Sequence, residues 1–159
     1  MNSIILINKE EISSIIKFMD HNRDEYNYFK KIGWNLKNIE SQFNKINNYC
    51  LGYFQANSLV GLLIGDIIKN DKDYDLEIKL LFVSTEQRRK QIATKLLNYV
   101  ETNTIKFSQI FIEVAEDNLD AISFYRKNNF VFLNFRPNYY RYNDKNIHAK
   151  CFIKKINHD

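Results

Sequence analysis

The sequence predicts an α/β fold, a mixed β-sheet of about seven strands flanked by about four helices. Three observations carry this expectation. Strand-like apolar runs and helical stripes interleave in the order β α α β β β α β α β β. Short turns join some of the runs as hairpins, which gives antiparallel neighbours. One strand leads through a polar loop directly into a helix and then into another strand, the connection that parallel neighbours need. At 159 residues, 45% hydrophobic and 14% aromatic, the chain carries enough apolar surface for one ordered domain spanning residues 1–159.

Taken in order, Ser3–Ile7 reads as a first strand. Asn8 with Glu11 three residues later has the form of a capping box, and Ile12, Ile15, Ile16 and Met19 then mark one helix face. His21–Lys31 is polar and aromatic and reads as irregular. Gly33–Trp34–Asn35 is a turn with Asn35 as N-cap, ahead of a second helix striped by Leu36, Ile39, Phe43 and Ile46. Tyr49–Ala56 and Leu59–Ile68 are strands joined at Asn57–Ser58. After a charged turn, Leu76–Val83 is a strand in which Leu76, Ile78 and Leu80 share a face against Glu77 and Lys79. A helix from about Gln91 to Lys106 follows, then a strand over Gln109–Ala115. Asn118 caps a helix through about Lys127. Phe130–Phe135 and Ala149–Ile156 close the sheet, separated by a Tyr-rich connection.

Composition narrows the function. Cys50 and Cys151 sit far apart with no CxxC or Cys/His spacing, so no metal site and no disulfide framework is expected. No segment approaches the ~18 apolar residues of a membrane span, and the apolar run at Ile4–Ile7 is too short for a signal-peptide core. A soluble, cytoplasmic protein with reduced thiols is the expectation. The net charge of +4 is uneven: from Arg126 onward eight Lys/Arg stand against two Asp/Glu. Such an end suits an acidic substrate, a phosphorylated cofactor or a nucleic acid, or simply follows from a Lys-rich composition.

Three places carry chemistry. Val83 to Leu97 reads VSTEQRRKQIATKLL, a strand end, a basic turn and a helix start. Free N–H groups and the positive dipole end make a helix start receptive to anions. Arg88 and Arg89 are adjacent in a chain with 6 Arg against 17 Lys. A charged, solvated turn fits these residues equally well. In the strand over Gln109–Ala115, Glu113 stands among apolar neighbours, and desolvation there would suit it to general-base work. A Glu on an open sheet face is the plainer alternative. In the next helix Ala121, Ile122 and Tyr125 line the core-facing stripe, where a Tyr is ordinarily a core residue.

The combination resembles the GNAT superfamily of acetyl-coenzyme A-dependent N-acetyltransferases. The matching features are a strand ending in Val83, the Arg88-Arg89-x-x-Ile92-Ala93 run, Glu113-Val114 on the next strand, and NxxAxxFYxKxxF from Asn118. The tail RPNYYRYNDKNIHAKCFIKKI resembles that of bacterial ribosomal-protein alanine N-acetyltransferases (RimI-like enzymes). The aromatic turn at Trp34 is similar too, with Gly33 where that subfamily has proline.

The resemblance implies roles. Leu81, Phe82 and Val83 would pair with the pantetheine arm of acetyl-coenzyme A, with the Val83 N–H facing the thioester carbonyl. Arg88, Arg89, Lys90, Gln91, Ile92, Ala93 and Thr94 would cradle the pyrophosphate, and Asn118 would touch the cofactor near its thiol. Glu113 would be the base and Tyr125 the acid. Trp34, Arg136, Tyr139 and Tyr140, with Tyr142, would grip the acceptor, although the tyrosines fit an aromatic core cluster equally well. The implied acceptor is a protein N-terminus such as the N-terminal alanine of a small-subunit ribosomal protein. No metal is implied.

Two positions depart from the pattern. Gln91 stands where the family has the first glycine of its Q/R-x-x-G-x-G/A motif, and Asn129 replaces the glycine of a GF pair. The side chain of Gln91 is expected to weaken coenzyme binding, at small backbone cost if the residue is right-handed helical. A small-molecule amine acetyltransferase, or a degenerate domain that binds coenzyme A or RNA without turnover, are the alternative readings.

Overall fold

The computed structural model describes residues 1–158, and the described chain builds one seven-stranded sheet with helices on both faces. The strands are β1 (Asn2–Leu6), β2 (Asn48–Gln55), β3 (Ser58–Lys69), β4 (Tyr74–Val83), β5 (Phe107–Ala115), β6 (Val131–Tyr142) and β7 (Lys145–Lys155). Their order across the sheet is β1-β2-β3-β4-β5-β7-β6. Among the described residues only β4 and β5 pair in parallel, and the helix between them supplies the crossover.

Among the described residues there are five α-helices, one more than the sequence predicts: α1 (Ile12–His21), α2 (Arg23–Lys31), α3 (Leu36–Phe43), α4 (Ile92–Thr102) and α5 (Leu119–Lys127). The extra helix is α2, over residues expected to be irregular. It buries Tyr26 and rests Phe29 on the core, with Asp24 and Glu25 in its first turn and Lys30 and Lys31 in its last. That charge order complements the helix dipole. The expected caps form. Asn8 and Glu11 close a capping box ahead of α1, the Asn35 side chain accepts from the Asn38 N–H at 2.9 Å, and that of Asn118 accepts from the Ala121 N–H at 3.1 Å.

Each sheet face has its own core. Ile15, Phe18 and Met19 of α1, Tyr26 of α2 and Ile39 of α3 pack on Leu62, Ile64, Leu80 and Phe82. On the opposite face α4 and α5 bury Leu96, Leu97, Val100 and Ile122 against Leu63, Leu76, Ile78 and Ile110. Full burial of such a side chain contributes about 1.5–3 kcal/mol, so each face is substantial.

These assignments overturn one expectation. Leu76, Ile78 and Leu80 do not share a face. Leu76 and Ile78 look toward α4 and α5, whereas Leu80 and Phe82 look toward α1–α3. The cause is a bulge: Ile64 pairs with Leu80 but Gly65 with Ile78, leaving Lys79 as an extra residue on β4. A one-residue insertion reverses the alternation beyond it. Gly65 makes the bulge fit, because a Cβ there would lie 2.7 Å from the Glu77 carbonyl oxygen.

The hairpins also differ from expectation. The β2–β3 turn is centred on Ala56–Asn57, one residue earlier than expected, with both residues at positive φ. Strand β6 continues through the Tyr-rich segment to a turn at Asn143–Asp144. Pairing to β7 skips from Arg136 to Tyr140, so Pro137, Asn138 and Tyr139 form a further bulge. Proline is tolerated there because a bulge needs no ladder donor. No helix among the described residues is long and apolar enough to cross a membrane.

The Gly65→Ala variant is expected to lose roughly 1–3 kcal/mol in urea denaturation, since the facing atom is backbone and cannot turn aside. An unchanged midpoint would show that the bulge does not depend on this close approach.

Candidate active site

The bulge at Lys79 has a consequence on the other edge of β4. Pairing with β5 runs from Tyr74–Phe107 to Ile78–Ile112 and ends there, although β4 continues to Val83 and β5 to Ala115. The two parallel strands therefore separate, leaving the edge of β4 from Lys79 to Val83 unpaired on that side. Ser84 donates its N–H to the Val60 carbonyl on the β3 side at 2.9 Å. Backbone alternation then turns the Val83 N–H the other way, into the opening. Leu81 and Val83 are half-buried, and Phe82 buries its ring against Phe18 and Phe29. Phe82 thus offers the opening only backbone.

The basic turn lies beyond the end of β4. Arg89 and Gln91 both adopt left-handed conformations, at φ 61° and 60°, and α4 starts at Ile92. The condition for a small backbone cost at Gln91 is not met, since its φ and ψ are 60° and 19°. Alternating handedness of this kind curls successive N–H groups into an anion-receptive concavity. No side chain caps the first turn of α4. Arg88, Arg89, Lys90 and Gln91 are exposed, Ala93 and Thr94 are half-buried, and Ile92 is core. Gly61 of β3 lets the helix start approach, since a Cβ there would sit 2.7 Å from Ile92 Cγ2. An extended backbone edge leading to a cationic turn with free N–H groups fits a long ligand ending in phosphates.

Arg88 is not loose. Its Nε donates to the Val83 carbonyl at 3.4 Å, and its Nη2 lies 3.9 Å from Glu25 of α2. The Thr85 hydroxyl also donates to Glu25, and this bond is the leading cause holding the Glu25 carboxyl below its usual range. Glu25 is a residue the sequence reading missed. The paired charges at the two ends of α2 were the available signal.

On the other lip of the opening stands Glu113, paired across the sheet with Cys151. Its carboxylate forms an ion pair with Arg136 of β6. The apolar surroundings expected for it are replaced by a cation, because the β6 chain brings Arg136 over the same face. The Tyr140 hydroxyl donates to the Glu113 carbonyl at 3.3 Å, and the Cys151 thiol lies 4.0 Å from the carboxylate. Burial raises the Tyr140 phenol, and the negative Glu113 adds to the rise. Tyr125 of α5 belongs to the opposite core, where its ring meets Phe124 and Phe130 edge-on. Burial drives its phenol far above the ordinary range, with Tyr140 as the next contributor, so it stays protonated.

The acceptor-side candidates divide. Arg136, Tyr139 and Tyr140 cluster with Glu113, and Tyr139 and Tyr140 meet edge-on at 4.9 Å. Tyr142 packs on Tyr28 of α2 at 5.5 Å, with Lys31 above its ring. The structure thus adds Tyr28, absent from the sequence reading. Trp34 is not part of this group; it packs with Phe29, Phe43 and Phe54 against the α1–α3 core. Asn118 is exposed at the start of α5, occupied as its N-cap. A surface cavity lined by Ile67, Lys72, Tyr74 and Thr104 lies at the far end of β4 and contains no candidate residue.

A parallel pair splayed open beside an anion-receptive helix start forms a ligand cleft in an α/β fold. The chain belongs to the acetyltransferase (GNAT) family, whose model matches residues 14–130. No curated protein matches it. Among solved structures it is similar to a probable acetyltransferase from Staphylococcus epidermidis (17% identity, 98% of this chain and 99% of that one, TM-score 0.81). It is also similar to NAA60 from Arabidopsis thaliana in complex with acetyl-CoA (17%, 98% and 99%, 0.78). A third is the ribosomal-protein-S18-alanine N-acetyltransferase from Escherichia coli (16%, 100% and 96%, 0.78). At these identities the likeness is one of fold.

A left-handed residue with a side chain costs about 1–2 kcal/mol, offset in glycine by a larger entropy loss on folding. Gln91→Gly is therefore expected to raise the unfolding free energy measured in urea by up to about 1 kcal/mol, whereas Gln91→Ala, which keeps the Cβ, gives no gain. Equal effects of the two variants would remove backbone strain as the explanation.

Proposed function

We propose that the protein moves an acetyl group from acetyl-coenzyme A to the α-amino group at a protein N-terminus. The observation that carries this reading is the β4–β5 opening, with the Val83 N–H turned into it from one lip and Glu113 standing on the other. Acetyl-coenzyme A supplies the acetyl group as a thioester. The unpaired edge at Leu81–Val83 would hold its arm, and the turn from Arg88 to Thr94 its pyrophosphate. Hydrogen bonds to charged groups contribute about 1.5–3 kcal/mol each, so a few N–H donors there would dominate affinity. The Gln91 side chain crowds that turn and weakens binding without abolishing it.

An α-amino group has a pKa of about 7.7–8.0 and is largely protonated at neutral pH. Glu113 takes its proton, directly or through one water, and the freed lone pair attacks the thioester carbon. The Val83 N–H donates to the carbonyl oxygen as negative charge develops there. As the carbon–sulfur bond breaks, Tyr125 gives its proton to the sulfur; the nitrogen then loses its second proton, which restores the phenol through water, and Glu113 releases its proton to solvent. The buried phenol suits this role because it is protonated throughout the working range.

A protein N-terminus is favoured over a small amine by the acceptor side. Tyr28 and Tyr142 face each other between α2 and the β6–β7 hairpin, with half-exposed Tyr139 and Tyr140 leading to Glu113. Such an aromatic-walled run suits an extended peptide. One relative in fold is named for acting on the alanine of ribosomal protein S18. A small-subunit ribosomal protein is accordingly the first acceptor to try, in a cytoplasmic setting.

The deciding experiment incubates the protein with acetyl-coenzyme A and peptides whose N-termini are free or blocked, and locates the added mass by fragmentation. Acetyl on free α-amines alone is expected; acetyl on lysine side chains, or on small amines only, overturns the proposal. The Tyr125→Phe variant is expected to lower kcat by about 10²–10⁴-fold with little change in coenzyme affinity. Unchanged turnover would remove Tyr125 as the acid.

A further inference from the structure

Arg136 uses only part of its hydrogen-bonding capacity. Among the described residues its one side-chain partner is Glu113, reached through Nη1. A guanidinium carries five N–H donors in a rigid plane. Its plane is held by the Tyr139 ring, 4.4 Å from the guanidinium carbon to the ring centroid. The Arg136 side chain is 51% exposed, whereas that of Glu113 is 17% exposed. The donors not used on Glu113 thus belong to a half-exposed side chain and are accessible to a ligand.

This arrangement poses a problem for catalysis. An acceptor amine arrives at Glu113 as a cation, at a carboxylate that already holds one. Two cations at one carboxylate repel. Either the guanidinium leaves its tyrosine, or an anion joins it on the free edge. A carboxylate is the anion that matches a planar pair of N–H donors. Neighbouring charges favour one negative charge rather than two. Glu113 is adjacent, Glu77 is close enough to raise the Tyr139 phenol, and Lys79 is already spent on Glu77 at 2.6 Å. A dianionic phosphate would meet the carboxylates of Glu113 and Glu77, with Arg136 already paired to Glu113 and Lys79 to Glu77.

The geometry points to Arg136 as the specificity residue for acceptors that carry a carboxylate beside the reacting amine. This rests on Glu113 being the base. The carboxylate occupies the free edge of the guanidinium, neutralises it where it stands, and leaves Glu113 to the ammonium. Two sources supply that chemistry: an acidic side chain in the first residues of a peptide, or the α-carboxylate of a free amino acid.

The test compares kcat/KM for matched peptides that differ only in Glu, Gln or Lys at the second position, and for a free amino acid against its amide. The wild-type protein is expected to prefer the Glu peptide over the Gln peptide by roughly tenfold, with the Lys peptide poorest. In Arg136→Gln the Glu-to-Gln ratio falls to about one, mainly through loss of the Glu peptide, and Arg136→Lys restores part of it. A merely structural Arg136 would slow all peptides alike and leave the ratio intact, which overturns the inference. A preference seen for the amino acid over its amide, but not among the peptides, assigns the carboxylate to the small acceptor. Failure of the base assignment shows separately: Glu113→Gln would then still turn over the Gln peptide.

Discussion

The end of hydrogen bonding between β4 and β5 after Ile78 and Ile112 is the constraint on which the rest of the structure depends. A parallel pair held along its full length would leave no free backbone edge in the middle of the sheet. The bulge at Lys79 bends β4 away at the same level, and it also reverses which side chains face which layer. Leu80 and Phe82 are thereby given to the α1–α3 core, so the strand is anchored by its side chains on one face while its edge stays open. Gly65 tolerates the close backbone contact that this requires. Opening and anchoring are one event, and the position of Glu113 past the last pair follows from it.

Helix α2 ties the two halves of the site together. Near its first turn Glu25 holds Thr85 and Arg88 of the basic turn; near its last, Tyr28 and Lys31 pack on Tyr142 of β6. Six residues separate Glu25 from Lys31, about 9 Å along a helix at 1.5 Å per residue. Any movement of Arg88 would remove a partner from one end of a helix whose other end packs on Tyr142. The basic turn and the β6–β7 hairpin are thus joined through an element that contributes one buried aromatic, Tyr26, to the core.

What the sequence made legible follows from the range of each interaction. The caps at Asn8, Asn35 and Asn118 are contacts over two or three residues, and all three form as read. The strand–turn–helix at Val83–Ile92 and the placing of Glu113 and Tyr125 on successive elements were equally visible. The bulge was not, because period-2 alternation cannot register an extra residue whose cause is a glycine on another strand. Nor was the length of β6, whose side chains are exposed along most of their run and carry no burial pattern; β7 alone defines it. Arg136 on Glu113 is a contact 23 residues apart, across two strands, and no local rule would have paired them.

Composition explains where strain was accepted. The chain has 4 Gly and 21 Asn, and among the described residues eight non-glycine positions have positive φ. Five of these are Asn or Asp, at 57, 129, 138, 143 and 144. These are the residues whose short polar side chains make the left-handed region least costly. Asn129 in the place of glycine is one of them, so that departure is nearly neutral. The remaining three are Ala56, Arg89 and Gln91. Ala56 sits in a two-residue hairpin that its neighbour Asn57 already enforces. Arg89 and Gln91 have no such excuse, and both lie in the turn that presents N–H groups at the mouth of the opening. A chain that substitutes Asn so freely elsewhere keeps long side chains at these two positions. Strain retained there, in a turn built of charge and free donors, is the pattern of a loop shaped by what it binds and not by what it contributes to stability.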